Sequence, residues 1–525
     1  MSDFDDDDML EMPEARHIEE PEIPSIEMLE AEAPRDTDAA NVDAFVRMQG
    51  GGYRYCVEWS AWLAWSGKRW ELTGARGRVL RAAVLVAREE HYRCRGRIKA
   101  LTEELRPLKL APQKDQDRIE RLEALLKRET KLLLWFATSQ NQGKLEAVAK
   151  GLETRLVVRM AELDADPWAL NCANGTVDLR TGELRPHNRD DLITQLVEID
   201  YDLAARAPLW SAFLERAMRG SLGLTMFLQR LVGYTLTGVT AEHILVFHHG
   251  HTGSNGKSTF LATIRALLGD YACSAPRSLL FEPKNGAEPH PTELARLYGK
   301  RLAICAEVPE NAELAEAKIK DITGGDVVSV RRMNENFWDM TPMHTLHAAG
   351  NHKPVIHGVD GGIWRRVKLV PWTVTIAEKD RDPELLTKLR AELPGILAWA
   401  VHGCLEWQRV GLAEPPEVTG AGEAFREESD VLAGFFASQC VFGSAEREAC
   451  KVIRRAYEAW CEDLGHRPLG ARTLWRRFRE RGCRNVSVRY EMKPCEGLAG
   501  VRLKTHAELM REAAALEADR GATMS

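Results

Sequence analysis

Three familiar features are missing from this chain, and each absence narrows what it can be. Eleven cysteines are present, yet none forms a C-x-x-C pair or a regular spacing. A zinc module and a disulfide framework are therefore not expected, and reduced thiols fit a cytoplasmic protein. No run approaches the roughly 18 apolar residues of a membrane span, and the Asp-rich first residues do not read as a secretory signal. Between residues 44 and 204 no acidic pair of the kind that carries nucleotidyl transfer stands out.

Charge is present but unevenly placed. The 525 residues carry a formal net charge of −7, with 28% charged and 44% hydrophobic residues, an ordinary composition for a chain of several domains. Residues 1–40 hold fifteen Asp and Glu against two Arg, so the remainder is mildly basic. That acidic stretch, with Asp5 to Asp8 in a row, reads as a disordered solubilising tail.

The densest signal is Gly250-His251-Thr252-Gly253-Ser254-Asn255-Gly256-Lys257-Ser258-Thr259. The apolar run Ile244–Phe247 before it reads as a strand, and Phe260–Leu268 after it repeats apolar residues at helical spacing. A glycine-rich loop between a strand and a helix presents backbone N–H groups to a triphosphate at the helix N-terminus. In that setting Lys257 reaches the β- and γ-phosphates and the Ser258 hydroxyl holds Mg²⁺, so ATP and Mg²⁺ are the expected cofactors. His251 stands where the strict pattern has its first Gly, with Gly250 one place earlier.

Downstream, Leu302–Ala306 reads as a second apolar strand ending in Glu307, the expected general base and ligand to metal-bound water, with Glu310 as a second candidate. A third strand, Met343–Ala349, leads to Asn351, whose amide can sense a γ-phosphate from between the two nucleotide motifs. Arg365 and Arg366 follow on a Gly-initiated turn and are candidates for an arginine finger. Between these motifs a helix ends at Gly324-Gly325, and a β-hairpin with a polar tip at Met333–Asn336 follows. Arg331, Arg332 and Phe337, with Lys320 on the preceding helix, suit single-stranded nucleic acid: cations take phosphates and rings take bases.

Elsewhere the pattern is mainly helical. Residues 44–73 read as a short β-meander turned at Ser66-Gly67. Val79 to Leu163 reads as helices, with a charged hairpin arm over Asp115–Leu133, and residues 171–184 as two short strands. Near the C-terminus come an amphipathic helix over Val452–Leu464 and a basic helix bearing Arg472, Arg476 and Arg477. Two short strands at Val486–Tyr490 and Gly500–Leu503 complete the order of a winged helix, able to contact a major groove or phosphates.

In this order, G-S-N-G-K-S-T, A-E-V-P-E, I-K-D-I-T-G-G-D-V-V-S-V-R, A-A-G-N-H-K-P and G-I-W-R-R resemble the superfamily III helicase module of phage and plasmid primase–helicases. The resemblance covers about residues 205–385, with weaker likeness in the region before it and in a winged helix over 427–504. It implies Lys257 and Ser258 as Walker A residues, Glu307 as the Walker B acid and Asn351 as the sensor amide. It further implies Arg366, or else Arg365, as the finger, and Lys320 with Arg331 on a DNA-facing hairpin. Ala306 stands where many relatives carry a second acid, and the primase domain of some members is not visible, so primer synthesis is not expected.

The expected fold is α/β. A P-loop ATPase core of superfamily III type spans 205–385, preceded by the acidic tail (1–43) and a mainly helical domain (44–204). A helical linker (386–426), the winged helix (427–504) and a flexible tail (505–525) follow. The expected activity is an ATP-dependent DNA helicase, a DNA-stimulated ATP hydrolase that forms a ring, expected as a hexamer, and moves along one strand, with the resemblance implying 3′ to 5′ polarity. Its setting would be replication of a phage, prophage or plasmid in a bacterial cytoplasm. Partners would be single-stranded and forked DNA, copies of itself and other replication proteins, with no membrane. The alternatives are an origin-binding initiator that uses ATP only as an assembly switch and a small-molecule phosphotransferase.

Overall fold

The computed structural model describes residues 35–283, 292–306, 308–310, 312–332, 336–358, 361–429, 431–464 and 468–512. The acidic stretch up to residue 34, Glu307, most of the hairpin tip (333–335) and residues 513–525 therefore lie outside the described residues. Helix α1 (Asp38–Gln49) starts inside the expected tail, because the Thr37 hydroxyl caps it by accepting from Ala40 N at 3.1 Å. Strands β1 (Tyr53–Cys56), β2 (Ala61–Trp65) and β3 (Trp70–Glu71) form the antiparallel meander, turned through Ser66, whose Oγ accepts from Arg69 N. Trp62 and Trp70 are core side chains.

Helices α2 (Ala75–Leu110) and α3 (Gln116–Thr138) make the helical hairpin. Glu129 of α3 is fully buried, which a carboxylate tolerates only when paired: Arg35 Nη2 donates to it at 2.9 Å and Arg97 Nε stands 3.2 Å away. Helix α4 (Gln142–Leu152) and β4 (Val157–Val158), parallel to β1, close this part. Next, β5 (Ala169–Cys172), β6 (Gly175–Asp178) and β7 (Glu183–Arg185) form a second meander, with three strands where two were expected. The sequence groups it with the N-terminal domain, but its apolar face packs forward. Leu170, Val177 and Leu179 share one core with Trp210, Phe227 and Leu397.

After α5 (Pro208–Ala217) and α6 (Leu222–Leu236) comes the central sheet. Its elements are β8 (Leu245–His249), α7 (Lys257–Leu268), β9 (Ala272–Ser274), β10 (Leu302–Ala306), α8 (Glu316–Thr323), the hairpin β11 (Val328–Val330) and β12 (Trp338–Met340), β13 (Thr345–Gly350) and β14 (Val367–Pro371). Five strands run parallel in the order β14-β8-β13-β10-β9. Both faces are covered: Val246, Ile304 and Val370 enter the core shared with α6, while Phe247, Ala303, Leu346 and Leu369 enter a second core. Two-sided burial is why these strands read as unbroken apolar runs.

Residues 386–426, expected as a linker, are built into this unit as α9 (Leu385–Ala391), α10 (Leu393–Val410) and most of α11 (Pro416–Ser429). Helices α6 and α10 cross at two glycines. A Cβ on Gly403 would lie 2.0 Å from Gln229 O, and one on Gly233 would lie 2.1 Å from Cys404 N. Only glycine allows backbones that close.

The C-terminal part holds α12 (Val431–Gln439), β15 (Cys440–Ala449), α13 (Cys450–Asp463), α14 (Ala471–Glu480), β16 (Arg484–Tyr490) and β17 (Lys493–Leu503) around Phe435, Ile453, Tyr457, Leu474, Phe478 and Val501. Its two expected strands are longer than the sequence suggests and form a hairpin, and β15 adds a third strand against β17. Among the described residues no helix is long and apolar enough to cross a membrane.

Candidate functional site

The glycine-rich loop leaves the C-terminal end of β8 and closes on the first turn of α7. Gly250 stands where no side chain fits: a Cβ there would lie 2.1 Å from Asn255 Nδ2 and 2.6 Å from Trp372 O. Gly256 adopts φ +91°, the left-handed region that favours glycine, and turns the chain into α7. Asn255 is buried and braces the loop from inside, its Nδ2 donating to Thr252 O at 2.8 Å. Around that brace His251, Thr252, Gly253 and Ser254 are exposed, as is Ser258, with Thr259 half-buried. The first-turn N–H groups of α7 lack intrahelical partners, which makes this end of the helix a place for an anion.

Lys257 is 7% exposed, and burial lowers its pKa from the ordinary lysine value. Its Nζ donates to Gly250 O at 3.1 Å and to Asn351 Oδ1 at 3.0 Å. The topology explains the meeting. Strand β13 lies between β8 and β10, with Gly350 level with His249, so Asn351 arrives beside the loop that leaves β8. Asn351 thus follows the strand that lies between β8 and β10. Glu307 would follow the end of β10 but lies outside the described residues, and Glu310 is exposed.

Arg365 and Arg366 stand at the other end of the sheet. Arg366 O accepts from Leu245 N at 2.9 Å, at the start of β8, whereas Lys257 follows its end. Five residues of strand separate those ends, about 16 Å at ~3.3 Å per residue. The chain thus does not bring these arginines to its own loop. Arg365 is exposed, while Arg366 is 9% exposed and its buried Nε has no hydrogen-bond partner among the described residues.

Behind the loop runs a buried polar chain that the motifs do not include. Trp372 Nε1 donates to His248 Nδ1 at 3.1 Å, His248 Nε2 lies 3.1 Å from His347 Nδ1, and His347 Nε2 lies 3.4 Å from Thr235 Oγ1. An indole N–H can only donate, so His248 Nδ1 accepts, and both rings can complete the chain in one direction while neutral. Burial holds His347 down at about 3 and pushes His248 well below the ordinary histidine value. Trp372 N also donates to His249 O at 2.7 Å, which ties this chain to the root of the loop. The signal for it in the sequence is polar residues inside apolar strands, where each must find a partner.

The nucleic-acid candidates separate into two surfaces. On the hairpin, the Arg331 guanidinium lies 4.9 Å over the Phe337 ring, which is 58% exposed, while Arg332 turns to Trp59 of the first meander at 4.8 Å. Lys320 is half-buried on α8. On α14, Leu474 and Phe478 anchor the helix and leave Arg472 and Arg476 exposed. Arg477 is largely covered and pairs with Glu480 at 3.4 Å.

Two family models match the chain: a D5 N-terminal-like region over residues 42–219, and a family of unknown function over residues 248–366. Similar curated proteins include one named as a helicase (L207/L206) in Acanthamoeba polyphaga mimivirus, 25% identical over 54% of this chain and 31% of that protein. Another, 022R of Frog virus 3, is also named as a helicase and is 28% identical over 45% of this chain and 26% of its own length. A third, C962R of African swine fever virus, is named as a primase and is 25% identical over 45% of this chain and 26% of that protein. The chain therefore spans about a third or less of the curated relatives it matches. Among solved structures, the apo NrS-1 C-terminal region aligns with a TM-score of 0.38 at 11% identity, over 57% of this chain and 79% of that one.

Proposed function

We propose that this chain is an ATP-driven DNA helicase motor acting in replication, a reading supported by its match to the D5 N-terminal-like model and by its similarity to proteins of large DNA viruses named as helicase or primase. The observation that carries this reading is the Lys257–Asn351 contact of 3.0 Å at the root of the glycine-rich loop. A partly desolvated ammonium bonded to two neutral oxygens is ready to exchange them for phosphate oxygens, and the exchange would free Asn351 to orient toward a γ-phosphate. The donor set fits ATP with Mg²⁺: a loop braced from within, an exposed helix N-terminus, the exposed Ser258 hydroxyl and Lys257. The bound metal would neutralise charge on the phosphates, with Ser258 as ligand and Glu307 as general base and ligand to its water.

An arginine finger is the remaining part. The distance from Lys257 to the far end of the sheet supports a finger delivered from a neighbouring copy, which makes a ring, expected as a hexamer, part of the mechanism. We assign the role to Arg365 rather than Arg366, because a side chain that crosses a subunit boundary has to be exposed. Single-stranded DNA would be gripped by Arg331 and Phe337, and Lys320 adds a cation on the helix before them. Exposed Arg472 and Arg476 on α14 support a duplex contact beside the motor, which also keeps the ATP-switched initiator as a second reading. Strand displacement separates the two. A motor shows ATP hydrolysis stimulated by single-stranded DNA and unwinds a fork, whereas a switch hydrolyses ATP and unwinds nothing.

A further inference from the structure

Where the first meander meets the central unit, the surface opens into a pocket of about 420 Å³. Arg296, Lys300 and Arg332 line it, and none of the described residues lining it is acidic. Its aromatic floor is Trp59 and Tyr298, packed edge to face with ring centroids 5.6 Å apart. Both rings are held from behind: Trp59 Nε1 donates to Met160 Sδ at 3.1 Å, and Tyr298 Oη donates to Met160 O at 2.6 Å. The floor is therefore rigid before any ligand arrives.

The cations are less well provided for. Among the described residues Lys300 Nζ donates to neutral acceptors, Gln195 Oε1 at 2.9 Å and Asp270 O at 2.5 Å. Arg332 lies 4.8 Å over the Trp59 ring, and neither it nor Arg296 has an ion pair among the described residues. Three cations around one pocket, with no acidic residue among its described lining, favour an anion. A guanidinium plane is also a stacking partner for a planar ring, as nucleobases use in single-stranded recognition. A volume of this size falls in the range of small-ligand pockets.

We propose that this pocket binds a nucleoside phosphate, with the phosphate on Arg296 and Lys300 and the base against Arg332. Resting on the nucleic-acid reading above, the source we favour is one nucleotide of a single strand. Arg331 and Arg332 are consecutive, so one leg of the hairpin serves both surfaces, and a strand leaving Phe337 would meet the seam next. A free nucleotide carries the same chemistry.

The test uses the full chain and Arg296→Glu, whose side chain is exposed and whose loss should leave the melting temperature unchanged, together with Arg332→Gln. One probe is fluorescein-labelled dodecathymidylate, read by anisotropy. The other is a fluorescent dATP in a Lys257→Ala background, where the glycine-rich loop no longer competes. Arg296→Glu should weaken binding at least about tenfold, and the double variant further, with a salt slope shallower by about 0.7 for each phosphate that is no longer neutralised. Weakening of dodecathymidylate assigns the pocket to the strand, whereas weakening confined to dATP assigns it to a free nucleotide. Unchanged affinity for both probes in variants with wild-type melting temperature overturns the proposal. If that happens while ATP hydrolysis remains stimulated by DNA, the motor reading stands alone. If the wild type shows no hydrolysis but binds dodecathymidylate through Arg296, the pocket stands and the motor falls.

Discussion

The Lys257 ammonium and the Asn351 amide meet at 3.0 Å although 94 residues separate them in the chain. Removing either partner should therefore hurt hydrolysis, but in different ways. Lys257→Ala loses the cation that stabilises charge on the phosphates and should drop ATP turnover at least about a hundredfold. Asn351→Ala should lower kcat by a similar factor while the affinity for a non-hydrolysable ATP analogue stays within about threefold, since the amide acts on the terminal phosphate alone. Steady-state kinetics and analogue titration on both variants decide it. Near wild-type turnover in Lys257→Ala would remove the nucleotide assignment.

Arg365 and Arg366 are neighbours in sequence with opposite exposure, and their variants should separate accordingly. Arg365→Ala should keep the melting temperature and lose hydrolysis. Arg366→Ala should lower the melting temperature, because it empties space around a buried side chain. Mixing Arg365→Ala with Lys257→Ala should restore partial activity, since one interface in the mixed ring then pairs an intact loop with an intact finger. No recovery at any mixing ratio, with subunit exchange confirmed, would rule out a finger in trans.

Gly403 tests the packing of α10 directly. A methyl group there would overlap Gln229 O, so one of the two helices would have to move. Gly403→Ala should cost about 2–4 kcal/mol, read as a drop in the urea midpoint. Gly420, which has open space around it on α11, is the control, and Gly420→Ala should leave stability equal or slightly improved.

Among the described residues four histidines, His248, His249, His344 and His347, are depressed by burial and steepen the acid side of the stability profile. Burial lowers His344 to about 4 and His347 to about 3. The folded chain binds fewer protons there than the unfolded chain, whose histidines titrate near 6.5. Stability is thus fully present above pH 6.5 and is lost as pH falls toward 4, on the order of 1 kcal/mol per pH unit for each histidine. Urea titrations at pH 7.5, 6.0 and 5.0 measure the slope. Because neither ring nitrogen of His344 has a hydrogen-bond partner among the described residues, His344→Leu should flatten part of that slope. An unchanged slope would mean that His344 does not titrate on unfolding in this range.

The sheet and its loop are legible in the sequence because their signals are local: unbroken apolar strands, a glycine run and helical spacing after Lys257. Asn351 is legible for the same reason, as an amide just past an apolar strand. What fails to show depends on distant partners. Gly233 and Gly403 look like ordinary helix glycines until the two helices are brought together, so residues 386–426 read as a linker. The second meander's apolar residues carry no label saying which neighbour they will face, so the core that Leu170, Val177 and Leu179 share with Phe227 and Leu397 does not show in the sequence. Strand β15 is hidden because its exposed stretch, Gly443–Glu448, alternates weakly. Arg365 and Arg366 are indistinguishable as letters, and only burial separates them.

The hairpin gives the most direct test of grip. Phe337 is 58% exposed and stacks against Arg331, so neither side chain contributes much to the core. Replacing both with Ala should leave the melting temperature and the basal hydrolysis rate unchanged, since neither touches the glycine-rich loop. Stimulation by single-stranded DNA should fall and fork unwinding should stop. One base stacked on a ring is worth about 1–3 kcal/mol, and in a ring of subunits the deficit recurs in every copy, so affinity should fall by at least about tenfold. A purely structural hairpin would behave differently, with the melting temperature, the basal rate and the stimulated rate declining together. All three are measured on one preparation. A stable variant that still unwinds a fork at the wild-type rate would take Arg331 and Phe337 out of the mechanism and leave DNA contact to other surfaces.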